Sequence, residues 1–264
     1  MPIKLSTMTS VLPDHTLDEV IAAMKKFGYI GLEPRVEWNH ASGIEASLSQ
    51  AERAAVRDKM VSNGLEISCV ATGVAMANPD PEAQKQQISD LRTYVDLAAD
   101  LGAKYVRTFG GSQAGRGTDL QPAIDYTVAG YMQVLPQAAA RGVTVLLETH
   151  DDWCNTAAVR AVIEQANHPN LACLWDCMHP QRELETVEES WINIGKHTRH
   201  VHTHDSVYVD SKLTAVPMGE GIFDYAKPWK LLEADGWDGF FSIEVRTCAH
   251  IISHLPCTAS QAGL

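Results

Sequence analysis

Apolar and β-branched runs of six to eight residues alternate along the chain with longer stretches that carry apolar residues at helical spacing. The short runs predict strands and the long ones amphipathic helices. The eight expected strands are IKLSTM (3–8), YIGLEP (29–34), LEISCVAT (65–72), KYVRTFGG (104–111), VTVLLE (143–148), LACLWDC (171–177), TRHVHTHD (198–205) and GFFSIEV (239–245). Helices are expected over 16–27, near 48–63, over 82–101, 120–141 and 155–167, near 185–196, and over 224–235. Gly28, Gly64, Gly102 and Gly142 each stand between a helix and the next strand, the place of a helix C-cap.

Strict alternation of strand and helix implies parallel strands. Eight such units in about 250 residues match the size of a (β/α)8 TIM barrel. An open doubly wound sheet is the alternative, but no G-x-G-x-x-G follows the first strand. No boundary divides the chain, so 1–264 reads as a single domain. After the eighth strand the tail RTCAHIISHLPCTASQAGL contains Pro256 and does not suit a long helix. A shortened or missing last helix is therefore expected. Parallel strands are apolar on both faces, so Ile251, Ile252 and Leu255 in this tail would form an apolar strip. Such a strip favours another subunit: a homo-oligomer is expected, with a different partner chain as the second choice.

Composition narrows the partners. The 264 residues are 45% hydrophobic and 20% charged, with a net charge of −12 and no run of Lys or Arg. That argues against nucleic acid and against an anionic membrane, while a small anionic substrate needs only a local arginine. No apolar stretch reads as a signal peptide or a membrane span. Six scattered cysteines suggest reduced thiols and a cytoplasmic setting. Cys173 and Cys177 share a strand face, where packing is the better reading than zinc.

The chemistry gathers at strand ends. LLETHDDW (146–153) begins as a buried strand and then gives Glu148, His150, Asp151 and Asp152 within five positions. The next strands end with Asp176 in LWDCMHP, His202 in HVHTHD and Glu244 in SIEV. Each residue taken singly has an ordinary structural role, as a cap, a core histidine or an ion-pair partner. Four on consecutive strand ends of a parallel barrel converge on the face where barrel active sites lie. Three clustered carboxylates either rise in pKa or enclose a cation. Three oxygens and one nitrogen suit a divalent ion, Mn²⁺ first, with Mg²⁺, Co²⁺ or Zn²⁺ as alternatives.

These stretches, with MGEGIFDY (218–225) and GWDGFFSIEV (236–245), resemble the xylose isomerase-like barrel superfamily of sugar isomerases and epimerases over nearly the whole chain. The resemblance implies a divalent metal held by Glu148, Asp176, His202 and Glu244. It implies that His179, from the D-x-x-H of the sixth strand, contacts a substrate oxygen, and that MGEG is structural. Two departures stand out: His204 occupies a place where the family often has Lys, and Cys154 one where ketohexose epimerases carry Glu. The early strand ends lack the extra histidines of the endonuclease branch.

The expected reaction is proton abstraction next to the carbonyl of a sugar or keto-sugar through a metal-stabilised enediolate. Glu148 and Glu244 would double as ligands and acid/base groups, giving an isomerase or epimerase. Expulsion of a β-substituent would instead give a lyase on a 3-keto-sugar, of the inosose dehydratase or C-glycoside-cleaving type. A non-catalytic sugar-binding barrel is a third reading. His150 is either a general base or a residue that orients Glu148, and Asp151 and Asp152 are expected to cap the next helix. Trp153 forms a pocket wall or packs under the loop. Arg182 and Arg246 are candidates for a substrate carboxylate or phosphate, with Glu33, Arg35 and Arg107 as weaker polar candidates. The loop 110–119 is a lid or a plain connection.

Overall fold

The computed structural model describes residues 3–111 and 120–244. The apolar runs form the strands β1 (Lys4–Met8), β2 (Gly31–Glu33), β3 (Glu66–Ile67), β4 (Val70–Ala75), β5 (Tyr105–Phe109), β6 (Thr144–Glu148), β7 (Leu171–Asp176), β8 (Thr198–Thr203) and β11 (Phe240–Ile243). All pair in parallel, in the order β3-β2-β1-β11-β8-β7-β6-β5-β4. A bridge between Arg35, just past β2, and Ala71 of β4 spans the remaining gap and leaves a nearly closed barrel. The expected third strand is thus broken at Ser68 and Cys69 into β3, which pairs with β2, and β4, which pairs with β5.

Helices cover the outside: α1 (Leu17–Phe27), α2 (Gln50–Ser62), α3 (Pro81–Leu101), α4 (Gln121–Met132), α5 (Leu135–Ala140), α6 (Thr156–Ala166), α7 (His179–Arg182), α8 (Val187–Ile194) and α9 (Ala226–Ala234). Three begin with reciprocal capping boxes, Thr16 with Glu19, Ser49 with Glu52 and Thr186 with Glu189, which satisfy amides that have no partner inside the helix. Gly28 and Gly102 end α1 and α3 in the left-handed conformation that favours glycine. The helix expected over 120–141 is two helices, α4 and α5. Pro136 stands in the first turn of α5, where its missing N–H costs nothing, but inside one long helix it would clash with the preceding turn.

Alternation along the strands sorts the side chains. Val145, Leu147, Cys173 and Trp175 join the large core beneath the helices. Leu146, Ala172, Leu174 and Cys69 form a small second cluster with Tyr105, on the other face of the same strands. The next inward positions above it are polar, and they carry the site. The described cysteines Cys69, Cys154, Cys173 and Cys177 are buried free thiols.

The segment after β8, expected as loop, folds in part into an antiparallel hairpin of β9 (Asp205–Val209) and β10 (Lys212–Val216). Asp210 and Ser211 turn it with φ values of 48° and 61°, the backbone of a tight two-residue hairpin turn. Arg246, Cys248, Cys257 and the tail with Ile251, Ile252, Leu255 and Pro256 lie outside the described residues, as do residues 112–119 of the loop read as a lid or a plain connection. No helix among the described residues is long and apolar enough to cross a membrane.

Candidate metal centre and cleft

Parallel register brings the strand-end residues to one level. Asp176 pairs with His202 across β7 and β8, His202 pairs with Ser242 across β8 and β11, and Glu244 donates its N–H to the Thr203 carbonyl at 2.9 Å. Glu148 ends β6 beside Leu174. One ligand atom each from Glu148, Asp176, His202 and Glu244 lies within 4.8 Å of the others. Glu148, Asp176 and His202 are fully buried, and the Glu244 side chain keeps 24% of its surface exposed.

His202 stands at the centre. Its Nδ1 is 3.0 Å from Glu148 Oε1 and 2.8 Å from Glu244 Oε2, while its Nε2 is 2.9 Å from both oxygens of Glu33. Asp176 Oδ1 accepts from the N–H groups of Met178 and His179, at 2.8 and 3.2 Å. Its Oδ2 lies 3.2 Å from His204 Nε2 and 3.7 Å from His179 Nε2. Glu148 Oε2, Asp176 Oδ2 and Glu244 Oε2 are buried without an aligned hydrogen bond. Buried oxygens of this kind carry a desolvation cost that a cation would offset. The donor set of three carboxylates and one imidazole fits a divalent ion.

Charge explains how so many acids share this space. Burial opposes ionisation of Glu33, yet His202 and His200 hold its carboxyl far below the usual range. Burial likewise opposes ionisation of Asp176, and the charges of His179 and His204 outweigh it. Glu244 is held low against burial by His202, with Arg107 and His204 contributing. In turn Glu33, Glu244 and Glu148 raise His202 well above an ordinary imidazole, despite its burial. Arg107 is a fully buried arginine whose Nε lies 3.4 Å from Glu148 Oε2 and whose guanidinium stacks 4.0 Å over the Phe109 ring. None of its side-chain nitrogens makes an aligned hydrogen bond.

A cleft of about 520 Å³ opens above this cluster. His150, His179 and His204 line it, with ring centroids 4.3 Å apart for the first pair and 5.2 Å for the second. Glu244, Arg107 and Phe109 lie along it, and Arg182 places Nη1 2.9 Å from His179 Nδ1. Arg35 and Trp38 line it too, the guanidinium 4.6 Å over the indole. Ser206, Leu213 and Ala215 bring the hairpin to the rim.

Several expectations change. His150 lines the cleft while Glu148 lies buried beneath it; the His150 Nδ1 is 2.8 Å from Asp151 Oδ1, and no hydrogen bond joins His150 to Glu148. Asp151 and Asp152 do not cap α6. They form a short 3-10 turn, and Asn155 takes the cap by accepting from the N–H groups of Ala157 and Ala158. The chain needs that turn to leave the barrel mouth, so the cap falls three residues later. Trp153 is buried beneath Gly110, where a Cβ would run into the indole, and is not among the residues that line the cleft. MGEG serves Asp205: the N–H groups of Gly219 and Gly221 both donate to Asp205 Oδ2 at 2.9 Å. Glu33 was only a weak candidate and His200 none, yet both belong to the buried network. The signal for His200 was the period-two spacing of His200, His202 and His204, which puts all three on one strand face; Glu33 had no local signal.

The model of the xylose isomerase-like TIM barrel family matches residues 21–256. The chain belongs to this family. No curated protein sequence matches it. Among solved structures, this family member superimposes on a probable 3-DHS dehydratase, AsbF, involved in petrobactin synthesis from Bacillus anthracis, with a TM-score of 0.81 and 18% identity over 96% of this chain and 97% of the other. It is similar to a 3-keto-D-glucoside 4-epimerase from E. coli, with a TM-score of 0.77 and 16% identity over 97% and 96% of the two chains. It is also similar to an IOLI protein with a bound zinc atom, with a TM-score of 0.75 and 17% identity over 99% and 95%. At these identities the likeness speaks for the fold.

Proposed function

We propose that this barrel is a divalent-metal-dependent isomerase or epimerase of a sugar or keto-sugar, working by proton transfer at the carbon next to a carbonyl. The observation that carries the reading is the convergence of Glu148, Asp176, His202 and Glu244 on one point, with one buried oxygen of each carboxylate making no aligned hydrogen bond. A divalent ion held there, Mn²⁺ by preference, supplies a Lewis acid that polarises the carbonyl and acidifies the neighbouring C–H.

The chain's own groups do the rest. Glu244 lines the cleft and takes the proton from carbon or returns it. Glu148 is sealed beneath the cleft floor and acts first as a ligand, then as the second carboxylate of the pair. His150 is the further base or acid at the wall, held by Asp151. His179 and Arg182 meet the substrate's oxygens, and Arg246 is proposed as a further contact. Trp153 supports the wall from behind.

The His150, His179 and His204 wall favours a second reading, since a lyase needs a proton donor for its leaving group. The substrate would then be a 3-keto-sugar bearing a β-substituent. Residues 1–264 are proposed to act as one domain, in a homo-oligomer favoured by the apolar tail residues, and in the cytoplasm, where buried thiols stay reduced.

Metal analysis combined with deuterium wash-in tests the reading. A purified chain that holds about one divalent ion and exchanges a substrate C–H with D₂O supports it. Exchange with retention of all substituents marks the isomerase or epimerase, and loss of a substituent marks the lyase. Binding of sugars without exchange in the presence of metal would sink both and leave a sugar-binding barrel.

A further inference from the structure

Glu33 ends β2, on the far side of β1 and β11 from β8. It is fully buried, and among the described residues its carboxylate meets groups able to donate. His202 Nε2 lies 2.9 Å from both oxygens. His200 Nε2 lies 2.9 Å from Oε2, and Ser242 Oγ donates to Oε2 at 2.8 Å. An ionised carboxylate only accepts, so each nitrogen facing it must carry its hydrogen. Without a cation, His202 faces carboxylates on both sides and carries hydrogen on both nitrogens; a cation at the ligand point would leave hydrogen on Nε2 against Glu33 and take the lone pair of Nδ1. That is the nitrogen facing Glu148 Oε1 and Glu244 Oε2. The opposite tautomer would aim an N–H at the point where the three carboxylates meet and exclude a cation from it.

We infer that Glu33 is the positioning residue of the metal centre: it fixes the tautomer and ring orientation of His202 so that Nδ1 serves as the ligand. The inference rests on the metal reading above. Partners of this kind, which hold the other nitrogen of a ligating imidazole, change metal affinity by about 10–100-fold when removed. Ser242 and His200 hold Glu33 in turn, so β2, β8 and β11 are tied together under the ligand point. Glu33, His200 and His202 also lie close enough to hold an ion themselves. In that rival arrangement both Nε2 atoms would lose their hydrogens and the chain would bind two ions.

The test uses the full chain, Glu33→Gln and Ser242→Ala. Aqueous Mn²⁺ is titrated into each, with the free ion followed by electron paramagnetic resonance and folding by thermal melts. The expected result is one Mn²⁺ in the wild type and a Kd about 10–100-fold weaker in Glu33→Gln, with a smaller change in the same direction for Ser242→Ala. In ¹⁵N-labelled, Zn²⁺-loaded wild type, long-range ¹H–¹⁵N correlation should show His202 with hydrogen on Nε2. Unchanged Kd in a folded Glu33→Gln overturns the inference and leaves the metal reading standing. Two ions in the wild type, or His202 with hydrogen on Nδ1, overturns it even if Glu33→Gln fails to fold. A wild type that binds no Mn²⁺ or Zn²⁺ overturns the metal reading and this inference together.

Discussion

A single atom separates the candidate ligands from ordinary buried acids. Glu148 Oε2, Asp176 Oδ2 and Glu244 Oε2 are buried without aligned hydrogen bonds, a costly state for a carboxylate with no charge to balance it. Glu244→Gln or Asp176→Asn should therefore leave the fold intact and remove most bound metal. Elemental analysis of the purified variants checks this, and wild-type metal content in both would contradict it. His150 is a different case, because its ring contacts Asp151, Phe109 and His179 and makes no hydrogen bond to Glu148. His150→Ala should retain metal and lose turnover by about 10²–10⁴-fold, as for a general base. A fall in metal affinity with turnover preserved would restore the orienting role instead. The four candidate ligands were legible because each stands at or next to the C-terminal end of an apolar strand. Glu33 was not, because its role depends on β8 and β11, far away in sequence.

Elements hold these residues at the mouth through ties between helices as well as through the sheet. Asp100, near the end of α3, accepts from Arg53 of α2 at 3.0 Å and from Arg141, just past α5, at 2.5 Å. Burial works against its ionisation, but Arg141 and Arg53 hold its carboxyl below the ordinary value. A carboxyl lowered in the folded state stabilises above its unfolded pKa of about 3.9, and that stability is lost as pH falls through the folded value. Both arginines keep some exposure, so solvent screening limits the pair. Asp100→Asn should cost about 1 kcal/mol at pH 7, with the gap to wild type closing in strongly acidic solution. Urea unfolding of both proteins at the two pH values measures it, and a gap independent of pH would refute the pairing. The hairpin of β9 and β10 was the element sequence reading missed. VYVDSKLTAV carries only a modest turn signal, and its strands pair with each other outside the barrel alternation.

Across the whole molecule, the centre concentrates charge in a fold that otherwise buries apolar side chains. Glu33, Glu148, Asp176 and Glu244 crowd one barrel mouth, with Arg107 as the fully buried arginine among them. His202, the neighbouring histidines and Arg107 offset their mutual repulsion in part, and a bound cation would offset more of it. Chelation should lower the melting midpoint, and returning Mn²⁺ at a hundred times its Kd should restore about 2.7 kcal/mol of stability. Calorimetry with and without chelator checks the effect. A midpoint indifferent to metal would show that Arg107 and His202 balance the site unaided.

The alternation of barrel strands with outer helices followed from the sequence alone, because the period of apolar residues is a local property fixed by backbone geometry. The candidate ligand residues followed from it too, since parallel strands must present their ends on one face. Closure needed the tertiary structure: the break at Ser68 and Cys69 lets β3 pair one way and β4 the other, and no local pattern encodes that. So did the division of work between the two nitrogens of His202. Which nitrogen faces Glu33 and which faces Glu148 depends on the register of β8 against β11 and β7, set by packing around the whole barrel.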